Sequence, residues 1–83
     1  MLEEIIERYE DEEFLTADGF DSAIIGVDDK SMRLIYSKKK ILEILQSPEH
    51  GMDVLDSIEY YDFNIVGAYM GEKTPIYMET EFE

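Results

Sequence analysis

The chain has 83 residues, no cysteine and a formal net charge of −14, with 21 acidic side chains against seven basic ones. The missing thiols exclude disulfide frameworks and thiolate metal sites. So strong a negative charge repels nucleic acid and anionic membranes and attracts basic protein surfaces. A disordered acidic tail would be poor in aromatic and branched residues, whereas this chain is 45% hydrophobic and 12% aromatic. The length fits a single domain over residues 1–83. A chain of this size buries only about two-thirds of its unfolded surface, so it folds with a small margin and against its own repulsion. The start, MLEEIIERYE, lacks the basic region and long apolar core of a signal peptide. No apolar run approaches the ~20 residues a membrane span needs. A soluble, intracellular protein is expected.

The charge is unevenly placed. Glu3, Glu4, Glu7, Glu10, Asp11, Glu12 and Glu13 face only Arg8, whereas Lys30, Arg33, Lys38, Lys39 and Lys40 share one window. Leu2, Ile5, Ile6 and Tyr9 have the spacing of one helical face, which predicts an acidic helix over residues 2–10. Its first-turn carboxylates suit the helix dipole. The helix should fade in the acid run at 10–13, with Phe14 and Leu15 as the next anchor. Residues 17–21 read as a turn. Two strand-like runs, 23–27 and 32–36, flank the polar residues 28–31 and predict an antiparallel hairpin. Gly26 within the first strand points to a bulge or a close approach.

Ser37 suits an N-cap, and Ile41, Leu42, Ile44 and Leu45 predict a second helix over 38–46. The three lysines of its first turn oppose the dipole. Either they offset the acid surplus, or they touch a phosphate or the acidic helix of a neighbouring copy. Asp53 followed by Asp56 resembles a cap. Val54, Ile58, Tyr61, Ile65 and Ala68 then predict a third helix from 53 towards 69 or 70, with Gly71 and Pro75 beyond it. A competing reading ends this helix near Tyr61 and makes 64–70 a strand. Pro75 forces an extended Thr74 and opens a last strand over 74–79, beside the hairpin. The expected fold is α+β: a three-stranded antiparallel sheet (hairpin 23–36 plus strand 74–79) against three helices. The tail at 80–83 is expected to fray.

Chemistry-bearing patterns are weak. His50 is the single imidazole, which leaves classical zinc sites and Ser-His-Asp catalysis without partners. The spacing of Asp18, Asp21, Asp28 and Asp29 does not match a calcium loop. In residues 67–74, Glu72 stands before Lys73 where a phosphate loop requires glycine. Neither a catalytic residue nor a cofactor nor a metal is expected. A continuous helix cannot bury both Tyr60 and Tyr61, so one faces solvent or a partner.

The segments ADGFDSAIIGVD (17–28), SMRLIYS (31–37), YDFN (61–64) and GAYMGEKTPI (67–76) resemble short uncharacterised proteins encoded by tailed bacteriophages. The likeness spans about residues 5–78. It implies a small phage protein in the cytoplasm of a bacterial host and carries no catalytic residues or activity. Together these observations lead to an expected non-enzymatic, acidic protein-binding module for a basic nucleic-acid-handling protein. The candidate contact residues are Glu3, Glu7, Glu10, Asp56, Glu59, Asp62 and Tyr60. Two alternatives stand beside it. One is a self-associating assembly protein, with the acidic helix of one copy on Lys38, Lys39 and Lys40 of the next. The other is a DNA mimic, against which the lysine window counts.

Overall fold

In the computed structural model, which describes residues 1–82, the elements run α1 (Leu2–Arg8), β1 (Ile24–Asp28), β2 (Arg33–Ser37), α2 (Lys38–Leu45), α3 (Val54–Tyr60) and β3 (Ile76–Met78). A short 3-10 turn, Asp21–Ala23, precedes β1, and a π-helical stretch, Tyr61–Val66, continues α3. This is the α+β class expected, with helices packed on a three-stranded sheet.

The sheet order is β1-β2-β3. β1 and β2 pair antiparallel, as the hairpin predicts, and the register slips between Ile24 and Gly26, making Ile25 the extra residue of a β-bulge. The hairpin turn closes on Met32, which takes a left-handed φ of 55°. That conformation costs a side-chain-bearing residue about 1–2 kcal/mol. It is held by Met32 N–H donating to the Asp28 carbonyl at 2.7 Å and by Lys73 Nζ donating to the Met32 carbonyl at 3.2 Å.

The third strand corrects the sequence expectation. β3 lies parallel to β2, with Ile35 beside Ile76 and Tyr36 beside Tyr77, and it is shorter than 74–79. The connection explains the direction. β2 runs straight into α2, and the chain returns through α3 to the starting end of β2. Arg33 Nε there donates to the Thr74 carbonyl at 2.6 Å. A long helical crossover is what parallel neighbours require, whereas a tight turn serves antiparallel ones.

The helices differ from expectation at their ends. α1 stops at Arg8 rather than at residue 10, and it buries only Ile5 fully, while Ile6 lies exposed. α2 begins where expected: Ser37 Oγ accepts from Lys40 N–H at 3.2 Å. α3 also has its foreseen cap, Asp53 Oδ1 accepting from Asp56 N–H at 2.8 Å. The helical path then reaches Val66 by the π stretch, short of 69 or 70, and residues 64–70 form no strand. Gly67 follows it, and the position favours glycine for a steric reason: a Cβ there would lie 2.8 Å from the Phe63 carbonyl oxygen.

The core is one cluster of Ile5, Phe20, Ala23, Ile24, Leu34, Tyr36, Ile41, Leu45, Tyr61 and Ile65. Tyr36 is fully buried, and its hydroxyl accepts from Ala17 N–H at 2.8 Å. That bond pins the loop between α1 and β1 against the sheet. α2 and α3 are joined through the buried Ser57, whose hydroxyl donates to the Val54 carbonyl at 2.8 Å and accepts from Gln46 Nε2 at 3.0 Å. These contacts fix α3 by one side and leave its other side to solvent.

Candidate docking face on the third helix

Ser57, Tyr61 and Ile65 recur every four residues and turn inward. Opposite them, Asp56, Glu59, Tyr60 and Phe63 stand at i, i+3, i+4 and i+7, the spacing of a single helix face. With Met52 and Asn64 they border one shallow depression. Phe63 is 80% exposed and Tyr60 40%. Seven of the twelve large apolar side chains exposed among the described residues lie within 54–70: Val54, Leu55, Tyr60, Phe63, Val66, Tyr69 and Met70. Scattered exposed apolar groups are ordinary, and of these seven Tyr60 and Phe63 border the depression together. The π stretch adds to this, because such departures from α geometry cluster at functional sites.

The electrostatics of this face have one sign. No lysine or arginine occurs between Lys40 and Lys73, while Asp53, Asp56, Glu59 and Asp62 all fall in that span. The three ion pairs among the described residues are Lys38–Glu79, Lys39–Glu81 and Lys73–Glu12. None of them engages Asp56, Glu59 or Asp62, so these carboxylates stand free on the surface.

Two of those pairs engage Lys38 and Lys39, two of the three lysines at the start of α2. Lys38 reaches Glu79 at 3.5 Å and Lys39 reaches Glu81 at 3.1 Å, and Glu81 holds the Lys39 ammonium above its usual range. The lysines therefore bind the chain's own segment beyond β3. In the tail expected to fray at 80–83, Glu81 makes this pair from an exposed position, and residue 83 lies outside the described residues. Lys38 also sits 5.6 Å above the Tyr61 ring. Burial, with smaller contributions from Tyr77, Asp62 and Glu79, pushes the Tyr61 phenol up to about 12.

The structure brings together three of the seven sequence candidates, Asp56, Glu59 and Tyr60. Asp62 lies on the same segment but does not border the depression. Glu3 and Glu7 project from α1, which packs on β1, and Glu10 lies beyond the end of that helix. They form a separate acidic area. Tyr60 is the exposed member of its pair and Tyr61 the buried one, the division that helix geometry requires. Phe63 belongs to an aromatic stretch with Tyr60, Tyr61 and Tyr69 in which one ring was expected at an interface, but it was not among the seven candidates. Its spacing of three from Tyr60 and seven from Asp56 was a usable signal. His50 is exposed and stacks on Phe20 with ring centroids 6.4 Å apart. Among the described residues no cluster of three or more His, Asp or Glu side chains is arranged to hold a metal ion, and no helix is long and apolar enough to cross a membrane. No family model, curated protein or solved structure matches the chain.

Proposed function

We propose that this chain is a non-enzymatic docking protein that binds a basic partner protein through the outer face of α3. The observation that carries this reading is the co-location of unpaired Asp56 and Glu59 with exposed Tyr60 and Phe63 on one helix side. Aromatic groups that are apolar in body and wet at the edge serve as interface anchors. The surrounding carboxylates steer a cationic surface and fix its register, contributing more to association rate and specificity than to raw affinity. The acids of α1 extend the attractive field. The partner class that fits so negative a protein is one with a large basic surface, such as a nucleic-acid-handling protein. The phage resemblance would place that encounter in the cytoplasm of a bacterial host.

Two features favour this reading over its alternatives. Self-association of α1 onto the lysine window meets competition, because Lys38 and Lys39 are already paired with Glu79 and Glu81. DNA mimicry calls for an unbroken row of charge, and here the stripe passes from two acids, Asp56 and Glu59, to two rings, Tyr60 and Phe63. Capture of basic proteins from a bacterial lysate on the immobilised chain, near ~0.05 M and near ~0.5 M NaCl, tests the proposal, since screening shortens the reach of these charges. Wild type should retain basic proteins at the lower salt, and an Asp56→Lys/Glu59→Lys double variant should lose them. Equal retention by both refutes the role of this face.

A further inference from the structure

We propose that the α3 face selects arginine over lysine, its occupant being an arginine-bearing segment of the basic partner. This inference rests on the docking reading above and gives the face a side-chain specificity. A purely electrostatic surface needs only carboxylates. This one sets Tyr60 and Phe63 just beyond Asp56 and Glu59 along the stripe, around one depression. Phe63 is attached where no core contact claims it, 80% exposed, and Tyr69, 79% exposed, lies a few residues on. The exposed phenyl ring and the two unpaired carboxylates border the same depression and are open to the same occupant.

The chemistry that satisfies both groups at once is a planar cation. A guanidinium stacks its flat face on an aromatic ring and sends its N–H fork in-plane to a carboxylate, bidentate where the geometry allows. It is also weakly hydrated, so leaving water costs it little. A lysine ammonium is a compact, strongly hydrated charge that pairs with the acid but gains less from the ring. Asp56 and Glu59 are a turn apart, so guanidinium groups on successive turns of a partner helix can each meet one acid with a ring alongside. A second copy of this chain is the poorer occupant, since its matching face carries the same negative sign.

The test uses two amphipathic peptides identical except that every cation is arginine in one and lysine in the other. Each is titrated into the isotope-labelled full chain, with amide shifts as the readout. The expected result is shifts centred on residues 52–64 and an arginine peptide bound about two- to fivefold more tightly than its lysine twin, the scale of exposed cation–aromatic contacts. Phe63→Ala should bring that ratio close to one while lowering lysine-peptide affinity little, and Phe63→Tyr should keep it. Because Phe63 touches little of the core, the unchanged spectrum of the remaining amides confirms that the variants fold. Equal affinity for both peptides at this face overturns the arginine selectivity and leaves basic docking standing. Failure of both peptides to bind, or shifts confined to α1, overturns the docking face itself.

Discussion

Gly67→Ala sets two physical effects against each other. In a helical conformation alanine is favoured over glycine by about 1 kcal/mol, and Gly67 has φ −72° and ψ −11°, which alanine adopts freely. Propensity alone thus expects stabilisation. The structure expects the reverse. An ideal Cβ at this position lies 2.8 Å from the Phe63 carbonyl oxygen and 3.2 Å from that of Asp62. Ordinary contacts begin near 3.4 Å, so the end of the π stretch must open by roughly half an ångström, and both obstacles are backbone. Overpacking of this kind costs about 1–3 kcal/mol. The net expectation is destabilisation of about 1 kcal/mol, which for a chain of this size lowers Tm by roughly 4–8 °C. Thermal melts followed by far-UV circular dichroism measure it. A Tm at or above wild type would show that the crowding at Gly67 does not govern the end of this helix.

Tyr36→Phe keeps the buried ring but removes the acceptor for Ala17 N–H, and it should cost about 1–2 kcal/mol with faster amide exchange at Ala17; unchanged exchange there contradicts the pinning of the α1–β1 loop. Alkaline unfolding should begin above pH 10. Burial raises the phenols of Tyr36, Tyr61 and Tyr77 in the folded state, so the stability they contribute is intact below the unfolded value near 10 and is lost as pH rises towards about 12, the value for Tyr61. Tyr61→Phe should move the alkaline midpoint upward, as read by tyrosinate absorbance together with circular dichroism.

How much of this was legible in the residues depended on the range of the interaction. Ser37 and Asp53 announced their helices, because a cap is a contact across three residues. The hairpin and its bulge followed from two branched runs, a polar turn and Gly26. The direction of β3 was not legible: residues 74–78 look the same whether they run with or against β2, and the path of α2 and α3 decides. Lys38 and Lys39 at the start of α2 looked misplaced against the dipole because their partners, Glu79 and Glu81, lie about forty positions away in the chain. At the candidate face, the acids and Tyr60 were readable from composition and helix period. Phe63 was not singled out from Tyr60, Tyr61 and Tyr69, because composition does not say which rings of that stretch the core takes. Only the packing shows that the inward side was already filled by Tyr61 and Ile65.

The parallel pairing of β3 has a consequence for synthesis. The hairpin of β1 and β2 can close while most of the polypeptide is still inside the ribosome, but the sheet gains its third member only after both later helices have emerged and turned back. A nascent chain halted before Pro75 would therefore leave the far side of β2 with open N–H and C=O groups, an edge on which other chains could zip. A chain cut there would thus carry an open strand edge that β3 otherwise covers.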